Sequence, residues 1–137
     1  MRRINPYLGF TDQAREAMTF YHSVLGGELV ISPFSDYGME GPESDRVMHA
    51  MLTTEDGLVL MASDRTSDMP PVTVGDSVVL SLHGDDPEVL RGWFAALAEG
   101  GRVDTPLEKQ VWGDEYGDLT DRFGMRWLVN ISTPEAG

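Results

Sequence analysis

The sequence predicts an α+β protein made of two β-α-β-β-β modules, with curved mixed sheets enclosing a cavity and helices on the outside. Three observations carry this. Two amphipathic helix patterns each end in a glycine pair, Gly26-Gly27 and Gly100-Gly101, separated by 74 residues. The same offset pairs Leu8 with Leu82, Asp12 with Asp86 and Phe20 with Phe94. Each helix pattern follows one short apolar run and precedes three more, and a sheet covered on one side by its helix must bury its other side elsewhere.

In the first module, residues 1–68, Ile4 to Phe10 reads as a strand. Thr11 or Asp12 is placed to cap a helix whose apolar residues Ala14, Ala17, Met18, Tyr21, Val24 and Leu25 recur at helical spacing. Gly26-Gly27 ends it as a glycine cap. Strands are expected over 28–32, 46–54 and 58–63. Pro33 to Ser44 reads as a long loop, and Glu55-Asp56-Gly57 as a hairpin turn. Residues 64–76, with Pro70-Pro71, read as a linker.

The second module, residues 75–133, opens on a strand over Ser77 to His83. Asp86 caps the next helix with Pro87 at its first position, where no N–H is needed. Leu90, Trp93, Phe94 and Leu97 form its apolar stripe. Strands follow over 102–105, 111–119 and 125–131. Asp118, Asp121 and Gly124 are expected to shape the last turn, with the acids facing water.

Composition narrows the function. At 137 residues the chain fits one domain. It has no cysteine, which excludes disulfides, zinc-thiolate sites and cysteine nucleophiles and fits a cytoplasmic location. A net charge of −13 makes nucleic acid and anionic membranes poor partners. No apolar run approaches a membrane span, and Met1-Arg2-Arg3 lacks a following apolar stretch, so no export signal is expected. There is no phosphate-cradling glycine loop and no nucleophile elbow around Ser77 or Ser81. Asp114, Tyr116 and Asp118 miss the spacing of a calcium loop.

Alternation along the strands nominates ligand contacts. Asn5, Tyr7 and Gly9, then Ser77, Val79 and Ser81, then Arg126, Leu128 and Asn130 are expected to line the cavity. His49 faces away from Met48, Ala50 and Leu52, toward the cavity, where it serves as a ligand contact or as a proton donor or acceptor. Arg126 either receives an anionic group bidentately or pairs with a nearby acid. Trp112 and Tyr116, four apart on one expected strand, either flank the mouth of the cavity or form an aromatic ladder or a dimer contact. Trp127 and Val129 are expected under the second helix, His22 partly exposed, and His83 in a turn.

The segments INPYLGF, AMTFYHSVLGGEL, VMHAML, LMASD and WGDEYGDLTDRFGMRWLVN, spread over nearly the whole chain, resemble the vicinal oxygen chelate superfamily and, within it, the PhnB-like branch. That superfamily includes glyoxalase I, extradiol dioxygenases and bleomycin resistance proteins. The resemblance implies a paired-module fold and a homodimer. In metal-dependent members, His or Glu side chains on the first and fourth strands of each module hold a divalent ion, whose open coordination polarises substrate oxygens. Those positions fall here on Asn5, on Leu60 (Met61 with a slip of one residue), on Ser77 and on Leu128 (Trp127 or Val129 with a slip). None is His or Glu, so no metal and no cofactor is expected. The resulting expectation is a metal-free pocket for a small organic molecule, contacted by Asn5, Tyr7, His49, Ser77, Trp112, Tyr116, Arg126 and Leu128. Two alternatives stand beside it. One is a lyase, isomerase or dioxygenase with a non-standard site around His49 together with Asn5, Tyr7 or Tyr116. The other is a non-catalytic interaction protein whose cavity is filled.

Overall fold

The first sheet grows from strands whose side chains alternate between a helix-covered face and an open one. The computed structural model describes residues 1–133, and the chain divides into two units, Met1–Thr73 and the residues from Val74 onward. In the first unit β1 (Tyr7–Phe10), α1 (Ala14–Leu25), β2 (Glu28–Pro33), β3 (Val47–Thr53) and β4 (Val59–Asp64) follow one another, with one 3-10 turn over Phe34–Tyr37. The sheet order is β1-β4-β3-β2. β1 runs parallel to β4, and the other pairs are antiparallel.

Ala14, Ala17, Met18 and Tyr21 make the buried stripe of α1. Beneath it lie Leu8, Phe10, Ala50, Leu52, Leu60 and Ala62, all buried. Burying a side chain of this size contributes roughly 1.5–3 kcal/mol, so this layer fixes which way every strand faces. The register shifts between Ser32 and Pro33. Val47 is consequently the fully buried residue at the start of β3, while Met48, expected inward, is half-buried.

The start of α1 departs from expectation. Neither Thr11 nor Asp12 caps it. Asp64, at the end of β4 and 3% exposed, accepts from the Ala14 N–H and the Val47 N–H, each at 2.9 Å. A carboxylate at a helix N-terminus satisfies an orphan donor and opposes the positive end of the helix dipole. One side chain thus ties the helix start to the start of β3.

The second unit repeats the plan with β5 (Leu80–Gly84), α2 (Pro87–Ala98), β6 (Arg102–Lys109), β7 (Glu115–Thr120) and β8 (Arg126–Ile131), in the order β5-β8-β7-β6. β5 runs parallel to β8. Asp86 caps α2 through the Val89 N–H at 3.4 Å, with Pro87 at the first position, as the sequence indicates. Leu90, Phe94 and Leu97 are buried, with Leu82, Leu119, Trp127, Val129 and Ile131 also out of solvent. α2 packs on all four strands of its sheet, so Trp127 and Val129 lie on the helix side as expected. The doubled β-α-β-β-β architecture is therefore present, and neither sheet closes into a barrel.

The repeat extends to atomic detail. A Cβ on Gly27 would stand 2.2 Å from the Thr53 carbonyl oxygen, and a Cβ on Gly101 would stand 2.2 Å from the Thr120 carbonyl oxygen. Each helix exit passes so close to the neighbouring strand end that only glycine fits.

The last turn also differs from expectation. Asp121 is 3% exposed rather than facing water. Its Oδ1 accepts from the N–H groups of Phe123 (2.8 Å) and Met125 (3.0 Å), and its Oδ2 from the Trp127 indole (2.9 Å). Asp118 lies within β7, not in the turn.

Candidate functional site

Each sheet presents the face that its helix leaves open. In the first unit, the register aligns Tyr7, Met61, Met51 and Val30 in one row across β1, β4, β3 and β2. Tyr7, Met51 and Val30 are exposed at 51%, 38% and 51%, so this row presents apolar side chains on the open face. His49 pairs in register with Ser32, and Gly9 with Ser63. A side chain at position 9 would meet nothing within 4 Å, so Gly9 leaves the space beside Tyr7 clear.

Tyr7 and His49 meet across that space. The phenol oxygen lies 3.0 Å from His49 Nδ1, and the rings stand 5.7 Å apart, tilted by 38°. With Nδ1 engaged, Nε2 is left for another partner. It donates if the phenol donates to Nδ1, and accepts if Nδ1–H donates to the phenol. The sequence nominates both residues separately. Their pairing depends on a strand register that periodicity does not show.

The open face of the second unit is more polar. One row runs Ser81, Leu128, Asp118, Thr105; the next runs His83, Asn130, Tyr116, Glu108; a third joins Arg126, Thr120 and Arg102. His83 is therefore a strand residue on this face and not a turn residue. The Tyr116 hydroxyl donates to Asp118 Oδ2 at 3.0 Å. Partial burial, and then this bond to a carboxylate, raise the Tyr116 pKa above its usual value. Asn130 donates to Asp114 Oδ2 at 3.1 Å. Arg126 lies 3.7 Å from Asp118 and 3.8 Å from Asp104, contacts too long for hydrogen bonds.

Three nominated residues sit elsewhere than expected. Ser77 is exposed and precedes β5, which starts at Leu80. The parallel register sets Leu80 against Trp127, so Ser77 runs past the start of β8 and has no ladder to join. Trp112 is not on a strand. It occupies the tip of the β6–β7 hairpin, closed by Gln110 N–H to Asp114 C=O at 2.7 Å and Gly113 N–H to Gln110 C=O at 3.0 Å. Its ring still lies 6.5 Å from that of Tyr116, edge-on. Asn5 precedes β1 and is half-buried.

The positions carried over from metal-dependent relatives resolve with the register. Leu60 is buried on the helix side, and Met61 is the open-face residue opposite Tyr7. An offset of 67 residues carries β4 (Val59–Asp64) onto β8 (Arg126–Ile131) and Met61 onto Leu128, which faces the open side opposite Ser81. A thioether and an aliphatic side chain thus stand where an N/O-ligated centre requires donors, and these residues do not fit such a centre. Among the described residues no three His, Asp or Glu side chains converge as a metal would require.

The Glyoxalase/Bleomycin resistance protein/Dioxygenase superfamily model matches residues 3–129. Among curated proteins, Protein YjdN of Escherichia coli K12 is 27% identical, with 93% of this chain and 94% of that protein aligned. Protein Mb0911c of Mycobacterium bovis is 31% identical, with 92% and 80% aligned. Among solved structures, protein PA1353 from Pseudomonas aeruginosa superposes with a TM-score of 0.87 at 38% identity, covering 98% of this chain and 100% of that one. A PhnB protein from Bacillus cereus superposes with a TM-score of 0.72 at 28% identity, covering 96% and 100%. The resemblance to the PhnB-like branch is borne out by that neighbour.

Proposed function

The chain belongs to the glyoxalase/bleomycin resistance protein/dioxygenase superfamily, and from that premise we propose that it binds a small organic molecule on the open face of its first sheet, without a resident metal ion. The observation that carries this reading is the Tyr7–His49 pair at 3.0 Å, set beside the apolar row of Tyr7, Met61, Met51 and Val30. A small-molecule site needs apolar area with a few fixed polar groups. Here the phenol holds the imidazole through Nδ1, and Nε2 meets a polar group of the ligand while the methionines adapt to its apolar body. The metal-free part rests on Met61 and Leu128, which stand at carry-over positions and are not the donors such a centre takes.

A thermal-shift screen of small aromatic and carbonyl compounds tests this. Compounds that raise the melting temperature of the native chain should lose that effect in His49→Ala and shrink it in Tyr7→Phe. Hits that stabilise native chain and both variants equally would refute the site.

One observation favours a catalytic reading of the same face. A general base needs a group that orients it, and Tyr7 supplies one for His49. On this reading His49 moves a proton on the bound molecule at Nε2. Turnover of a hit compound that falls at least about a hundredfold in His49→Ala, with binding weakened far less, supports catalysis; undiminished turnover removes it.

A further inference from the structure

We propose that the open face of the second sheet carries a carboxylate subsite at the row Arg102–Thr120–Arg126. The three residues are paired in register across β6, β7 and β8, so the two arginines start two strand spacings apart, roughly 10 Å. Both line a groove of about 380 Å³, together with Thr120, Gly124 and the Val74–Asp76 segment. It lies within the second unit and owes nothing to the Tyr7–His49 reading.

Arg126 is the informative member. Its side chain is 24% exposed, and its partners among the described residues are ion pairs of 3.7 and 3.8 Å. A guanidinium offers five N–H donors in a rigid fork, and none of them makes a hydrogen bond among the described residues. Arg102, by contrast, donates from Nε to Asp104 Oδ1 at 2.7 Å, and Thr120 donates to Asp104 Oδ2 at 2.7 Å. Asp104 thus anchors one side of the row, while Arg126 keeps its fork for a ligand. Asp118 Oδ1, 3.7 Å from Arg126, is buried without a hydrogen-bond partner among the described residues.

The charge balance selects the ligand. Arg102 and Arg126 stand against Asp104, Asp118 and the groove-lining Asp76, a balance of −1, so the groove offers directed donors rather than excess positive charge. A planar monocarboxylate suits a guanidinium fork through two parallel hydrogen bonds. A phosphate dianion would bring a second charge close to Asp104 and Asp118 with nothing to balance it. The class proposed is therefore a small molecule bearing one carboxylate.

Nitrogen-15 NMR of the arginine side chains in the full chain tests this, with acetate and inorganic phosphate titrated at constant ionic strength. Acetate should shift the Arg126 Nε signal saturably and leave exposed Arg2 unmoved. Arg126→Lys, which keeps the charge and lacks the fork, should abolish saturation. Arg102→Gln, at a position 74% exposed where folding is not at stake, should weaken acetate binding roughly tenfold. An acetate response that is linear and common to all arginines would overturn the subsite. Saturation by phosphate alone would overturn the carboxylate assignment, and unchanged acetate affinity in Arg102→Gln would overturn the two-arginine row.

Discussion

Asp121 accepts three hydrogen bonds, two from backbone N–H groups and one from the Trp127 indole. Each of these donors is buried or partly buried, and a buried donor left unmade costs about 1–3 kcal/mol. Asp121→Ala is therefore expected to lower stability by roughly 3 kcal/mol or more, measured by urea unfolding, while Asp118→Ala should cost far less. Tyr116 supplies a pH prediction. Its folded pKa lies above the ordinary value of 10.0, so the phenol's contribution to stability is complete below about pH 10 and is lost as pH rises through the raised value. Phenolate absorbance should show one tyrosine titrating late, and Tyr116→Phe should remove both that signal and the alkaline step in stability. At this scale the sequence is legible where a residue acts by its position on a strand, as for Tyr7, His49 and Leu128. It is not legible for Asp64 or Asp121, because their partners are fixed by tertiary approach; Asp64 bonds an N–H 50 residues away.

At the scale of elements, the two helix exits make matching demands. Gly27 has φ +88°, and its added Cβ would meet the Thr53 carbonyl oxygen; Gly101 meets that of Thr120 in the same way. Gly27→Ala and Gly101→Ala should each cost about 2–4 kcal/mol, because backbone at 2.2 Å cannot give way as a side chain can. Gly92, inside α2 and with nothing within 4 Å of an added Cβ, is the contrast. Gly92→Ala should stabilise by about 0.5–1 kcal/mol, and chemical denaturation of the three variants checks all of this. The helices, their glycine exits and the sheet faces were readable because a buried stripe and a glycine exit leave local signals. The ends of β1, β5, β6 and β7 were not, since a strand stops where its neighbour stops offering hydrogen bonds. Ser77 to His83 alternates like a strand, yet β5 begins only at Leu80, where β8 supplies Trp127.

For the whole molecule, the net charge of −13 governs association. The homodimer implied by the family resemblance would join two like-charged chains, so screening should help it. Sedimentation equilibrium is expected to give a dimer whose dissociation constant falls as salt rises from low ionic strength, and a monomer at all salt concentrations would remove that expectation. No helix among the described residues is long and apolar enough to cross a membrane. This superfamily member is proposed to hold an organic molecule at Tyr7 and His49 with no metal ion. Native mass spectrometry of the tag-free chain tests it most directly, because bound organics and bound metals both appear as added mass. A small organic adduct that disappears in His49→Ala is expected, with no stoichiometric metal. One equivalent of zinc, nickel, iron or manganese, retained by the native chain and lost in His49→Ala, would contradict it.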